Sequence, residues 1–96
     1  MTEAEIILSR LALDQLASLT PTIGRTLVKA LQRLAAFPES APPVSQPGYE
    51  DYRQLIIKDY RVVYRYLGGD EQVRIYCILH IRPQLPASEF LNYQLF

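Results

Sequence analysis

The chain concentrates residues capable of chemistry in one stretch, YRQLIIKDYRVVYRYLGGDEQVRIYCILHIR, from Tyr52 to Arg82. Successive side chains of a β-strand alternate between the two sides of a sheet. Read as three strands, the stretch places Arg53, Leu55 and Ile57 on one side with Arg61, Val63 and Arg65, then Arg74, Tyr76, Ile78, His80 and Arg82. Such a face is basic and carries aromatics, which suits the docking of an anionic partner. Arginine fits that purpose because its planar fork donates paired hydrogen bonds to phosphate or carboxylate. Arg61 and Arg65 are four positions apart, about 13 Å along a strand, so they line a groove rather than clamp one phosphate. His80 is the only histidine of the chain, and histidine is the residue type that exchanges protons near neutral pH.

The elements that must position these groups follow from periodicity. Ala4 to Leu8 is a short apolar run suited to an edge strand, and Ser9 is an N-cap for a helix carrying Leu13, Leu16 and Ala17 and ending near Leu19. Thr20-Pro21 restarts the pattern as cap and first helical position. Ile23, Leu27, Leu31, Leu34 and Ala35 then recur at helical spacing, with Arg25, Lys29, Gln32 and Arg33 on the polar face, until Pro38 stops the helix. Four prolines between Pro38 and Gly48 predict an extended surface loop that cannot join a ladder. Lys58-Asp59 and Gly68-Gly69-Asp70 read as the turns between strands, and Pro83 and Pro86 end the last one. ASEFLNYQLF then forms a helical turn or a tail.

The expected architecture is α+β: an N-terminal helical hairpin packed on one face of a small, mainly antiparallel sheet. The helices cover the side carrying Tyr52, Gln54, Ile56, Tyr60, Val62, Tyr64, Tyr66, Val73, Ile75, Cys77, Leu79 and Ile81. The arginine side is left uncovered by the chain. Residues 1–96 form a single domain, divided into a short edge strand and hairpin (1–37), a Pro-rich loop (38–51), a three-stranded meander (52–82) and a C-terminal tail (83–96).

Composition excludes several classes. At 49% hydrophobic and 21% charged, the chain has neither the low hydrophobicity of disorder nor a membrane-spanning apolar run. The N-terminus lacks the basic segment of a signal peptide, which places the protein in the cytoplasm with no membrane partner. Ten Lys+Arg balance ten Asp+Glu, against the basic excess typical of nonspecific nucleic-acid binding. Cys77 is alone and sits on the apolar side of a strand, a core residue rather than a metal ligand or nucleophile, and no metal or cofactor is expected.

The helical entry AEIILSRLALDQLASL, the strand DYRVVYRY and the last strand ending in LHIR resemble, in order and spacing, the RelE/ParE superfamily of bacterial type II toxin-antitoxin toxins. The resemblance implies a growth-inhibiting toxin bound by a cognate antitoxin. RelE-like members cut messenger RNA in the ribosomal A site, and ParE-like members poison DNA gyrase. RNA cleavage needs a base, an acid and cations around one phosphate. By resemblance Arg61, Arg82 and Arg53 supply the cations, and His80 is the candidate acid or base. Leu55 holds the place of a second expected basic residue. Arg65, Arg74, Tyr76 and Tyr93 are candidate binding residues, either tyrosine being able to bring a phenol to the site. Neutral overall charge and the incomplete basic pair favour the gyrase poison; the alternatives are the mRNA endonuclease and an inactive toxin-fold interaction module. A disordered acidic antitoxin suits the arginine face and the open strand edges. Homodimer and toxin-antitoxin hetero-oligomer both remain open.

Overall fold

Ser9 begins the fold's first helix and ends its first strand. The computed structural model describes residues 3–96. Strand β1 (Glu5–Leu8) leads directly into α1 (Arg10–Ala17), and the Ser9 hydroxyl accepts the Ala12 N–H at the helix N-terminus. Helix α2 (Pro21–Ala36) starts on Pro21, which needs no N–H partner at that position, and Thr20 caps it without a side-chain hydrogen bond. Three strands follow, β2 (Arg53–Ile57), β3 (Tyr60–Leu67) and β4 (Gln72–His80), and then the short helix α3 (Ser88–Asn92). The sheet order is β1-β4-β3-β2, antiparallel except that β1 runs parallel to β4. The helical hairpin on a small, mainly antiparallel sheet is the arrangement that periodicity predicts.

Between hairpin and sheet lies the first core, where Leu27, Leu31 and Leu34 of α2 meet Val62, Tyr64, Val73, Ile75 and Ile78. Leu27 is fully buried, and truncating such a leucine to alanine costs about 2–5 kcal/mol in transfer and cavity terms. Leu13, expected on the apolar stripe of α1, is instead 54% exposed, and Ala12 takes the buried position.

Two local features reset the strand phases. The turn at Lys58-Asp59 pairs Ile57 with Tyr60, so Arg53, Leu55 and Ile57 lie on the helix side with Tyr60, Val62 and Tyr64, not with Arg61. Lys58 takes a left-handed φ of 55° to make that turn. On β4, the register runs Val63 to Cys77 and then Tyr64 to Ile75, leaving Tyr76 as the extra residue of a β-bulge. Tyr76 and Cys77 consequently both bury on the second face, and beyond them Ile78 and His80 turn toward the helix side. The strand ends at His80, so Ile81 and Arg82 lie outside it.

The second face is not bare. Val44, Tyr49 and Tyr52 from the Pro-rich segment and its exit, with Leu85 and Leu91 from the C-terminal segment, pack on Val63, Tyr76 and Cys77. The Pro-rich segment also joins the ladder that its prolines were expected to forbid. Proline lacks a donor but keeps its acceptor, and the Pro42 carbonyl accepts the Gln54 N–H at 3.1 Å while the Val44 N–H donates to Tyr52 at 2.9 Å. This covers the first part of the β2 edge. No helix among the described residues is long and apolar enough to cross a membrane.

Candidate functional site: the second face of the sheet

The residues proposed for RNA chemistry are distributed rather than gathered. Arg61 projects from β3 on the second face, and its Nη2 donates to the carbonyl of Ile81 and, at 3.2 Å, to that of Pro83. The guanidinium thereby ties the chain leaving β4 back to the middle of the sheet. Its Nε is buried without a partner.

Arg53 is on the opposite side. Its Nη1 donates to the carbonyls of Ala41 at 2.7 Å and Glu39 at 3.3 Å, and its Nη2 lies 3.6 Å from the Glu39 carboxylate. That contact is the one salt bridge among the described residues. Arg53 therefore fastens the Pro-rich segment to β2.

His80 stands opposite Tyr60 at the end of the ladder, also turned away from Arg61, with its exposed ring edge-on to Tyr60 at 5.5 Å. Its Nδ1 accepts a long hydrogen bond, 3.4 Å, from the Arg82 N–H. Arg82 itself is exposed. The expectation of one face holding Arg53, Arg61, His80 and Arg82 is thus not met, because the hairpin register moves Arg53 and the bulge moves His80.

What the tertiary structure does bring together is a different set. Arg65 and Arg74 occupy directly opposed positions on β3 and β4. Arg65 lies over the Tyr52 ring at 5.7 Å and Arg74 over the Phe96 ring at 5.5 Å, both cation–π distances. The rings form a row: Tyr49 to Tyr52 at 5.2 Å, Tyr52 to Tyr76 at 5.1 Å, and Tyr76 to Phe96 at 4.8 Å, all edge-to-face. Tyr76 is therefore a buried link in this row, 5% exposed, while Tyr93 is 83% exposed and outside it.

Burial sets the chemistry of the groups beneath. It pushes the Cys77 thiol up to about 12, outweighing the opposing pull of Arg61, so the thiol is inert near neutrality. Burial likewise pushes Tyr49 up to about 12 and raises Tyr52 and Tyr64. The Tyr52 hydroxyl shares a 2.7 Å hydrogen bond with Asn92 Oδ1, and the Tyr49 hydroxyl donates to the Pro86 carbonyl, so the row also anchors the C-terminal segment. Among the described residues no cluster of His, Cys, Asp and Glu could hold a metal ion.

Sequence reading placed Tyr52 on the helix side and left Phe96 in an unassigned tail. Tyr52 precedes β2, and its placement depends on how the Pro-rich segment folds back; the place of Phe96 depends on a chain reversal after Pro83. Neither has a local signal.

A helical hairpin on this mixed four-stranded sheet is the fold also seen in solved RelE-type toxins. The toxin of the RelBE2 toxin-antitoxin complex from Mycobacterium tuberculosis superposes with a TM-score of 0.73 at 21% identity, over 81% of this chain and 98% of that one. The isolated RelE toxin of E. coli gives 0.70 at 19% identity, over 93% and 96%. The archaeal RelE-RelB complex from Pyrococcus horikoshii gives 0.68 at 20% identity, over 88% and 100%. At these identities the likeness is one of fold. Sequence carries the assignment further: the profile of the ParE toxin of type II toxin-antitoxin systems, parDE, matches residues 6–84, and the chain belongs to that family. No curated protein matches it at a significant level.

Proposed function

We propose that the protein is a growth-inhibiting toxin, held in check by a cognate protein antitoxin, that acts by binding and poisoning DNA gyrase rather than by cutting RNA. One observation carries the choice of mechanism. In-line cleavage by a ribose hydroxyl needs its base, acid and cations within hydrogen-bond reach of a single phosphate. Arg53 and His80 lie on the helix side of the sheet and Arg61 on the other, and the guanidinium groups of Arg53 and Arg61 are both occupied with backbone carbonyls. Family membership supports the same reading. Solved structures of the same fold include the RelBE2, RelBE and RelE-RelB complexes, which supports an antitoxin partner here.

The test uses the purified protein in two assays: supercoiling by gyrase, with detection of cleaved DNA, and translation on programmed ribosomes, with mapping of message ends. Inhibition confined to the gyrase assay is expected. Codon-positioned message cleavage with undisturbed supercoiling would overturn the gyrase reading in favour of the endonuclease. Loss of neither activity would leave a toxin fold used for interaction alone.

A further inference from the structure

The directly opposed pair Arg65 and Arg74 has no electrostatic explanation within the fold. Like charges facing one another across strands oppose sheet formation. Carboxylates are the usual remedy, yet among the described residues neither guanidinium makes a salt bridge, not even with Glu5, one diagonal step from Arg74 on β1. Arg74 Nε reaches only the Gln72 amide oxygen at 3.3 Å, and Arg65 Nε is buried without a partner. Both side chains are half-buried and lie over aromatic rings at cation–π distance, which favours these positions and leaves the charge unneutralised. Phe96, whose ring lies under Arg74, is 46% exposed, and its chain neighbour Leu95 is 66% exposed.

We propose that Arg65 and Arg74 form a two-guanidinium clasp for the carboxylates of an acidic peptide whose aliphatic side chains pack on Leu95 and Phe96. Each planar fork can donate paired hydrogen bonds to a carboxylate, and the ring beneath each arginine keeps the fork from collapsing into solvent. A peptide fits better than a nucleic acid. The chain has no excess positive charge to drive the release of counterions from a polyphosphate, and the apolar pair at the edge offers nothing to a sugar-phosphate backbone. The proposal deepens the antitoxin reading, on which it rests for the source of the peptide. Its test uses a synthetic peptide, so failure here leaves that reading standing.

The experiment is a titration of 15N-labelled protein, following the arginine Nε–Hε resonances, with a soluble peptide of glutamate and leucine. Inorganic phosphate and a single-stranded oligodeoxynucleotide serve as competing probes. The peptide is expected to shift the Arg65 and Arg74 resonances selectively, and R65Q/R74Q to weaken binding about tenfold or more. The double variant also removes the opposed charges, so its thermal midpoint should not fall. Stationary resonances, an equal affinity in R65Q/R74Q, or larger shifts with the oligonucleotide than with the peptide would each overturn the clasp. The wild-type titration decides the matter even if the double variant misfolds.

Discussion

The hydroxyl of Ser9 joins the first helix to the bulge of β4: with none of its surface exposed, it donates to the Tyr76 carbonyl at 2.7 Å and accepts the Ala12 N–H at 3.0 Å. The bulge frees backbone groups that a regular ladder would pair, and α1 satisfies them. The Ile78 N–H is met in the same way, by Gln15 Oε1 at 2.6 Å. Ser9→Ala therefore removes a cap and leaves a buried carbonyl unsatisfied, and should cost roughly 1–3 kcal/mol. Urea unfolding checks it: an unchanged midpoint would show that the Tyr76 carbonyl has another partner.

Arg61 should behave as a tether rather than a catalyst. Its loss to alanine removes charge-assisted hydrogen bonds to Ile81 and Pro83, worth roughly 1.5–3 kcal/mol together with any carbonyl left unpaired. Hydrogen exchange should accelerate at Phe90 and Leu91 while the Val62 and Ile75 amides stay protected. Uniform acceleration across the sheet would contradict a local tether. Lysine should restore little, since one ammonium lacks the fork that meets both carbonyls.

His80→Ala should keep full growth inhibition in cells lacking antitoxin. The ring is exposed, and its contacts are the Tyr60 edge and a long hydrogen bond, so stability should move by no more than about 0.5 kcal/mol. Loss of toxicity with an intact fold would restore histidine to a catalytic role.

Alkaline pH should destabilise the protein through groups buried on the second face. The Tyr49 hydroxyl has a folded value near 12 against an ordinary 10.0, and the Cys77 thiol about 12 against 9.0, in both cases because burial disfavours the anion. The unfolded chain releases these protons first, so it binds fewer of them than the folded chain in this range. Stability is then complete below about pH 9 and falls as pH rises toward 12. Y49F and C77A should each flatten the decline in unfolding free energy between those limits. A decline as steep in the double variant as in the wild type would assign the effect to other groups.

Gly48→Ala should be costly for two reasons. Gly48 has φ of 88°, which a side chain resists, and an added Cβ would stand 2.7 Å from the Ser88 hydroxyl oxygen at the start of α3. A loss of roughly 1–3 kcal/mol is expected. Adding Ser88→Gly should recover only the part due to the close approach, leaving the backbone strain, and calorimetric midpoints of the single and double variants separate the two.

Much of the fold was legible because its signals are local. Ser9 as N-cap, Pro21 at the first helical position, the leucines of α2 and both turns are set by neighbours within a few residues, where propensity and periodicity act. The arginine set was harder. Alternation along a strand predicts its face only while the register is regular and the turn length is correctly counted. The pairing of Ile57 with Tyr60 reversed β2 relative to β3, and one extra residue at Tyr76 reversed the end of β4. The two-residue turn, which sets its flanking residues opposite each other, and the one extra residue at Tyr76 thus separated Arg53 and His80 from Arg61.

By itself, the sequence determined that a helical hairpin would lie on a small antiparallel sheet, that Cys77 would be structural, and that β3 and β4 would carry a concentration of arginine. Hydrophobic periodicity and chain-terminating prolines suffice for that, since each acts over one turn or one strand. Only the tertiary structure decided which arginines meet. The opposed Arg65 and Arg74, and the Tyr52 and Phe96 rings beneath them, come from segments up to 44 residues apart, Tyr52 to Phe96, brought together where the C-terminal chain folds back over the second face. Their contact depends on register, bulge and chain reversal acting at once, and no local preference encodes that combination.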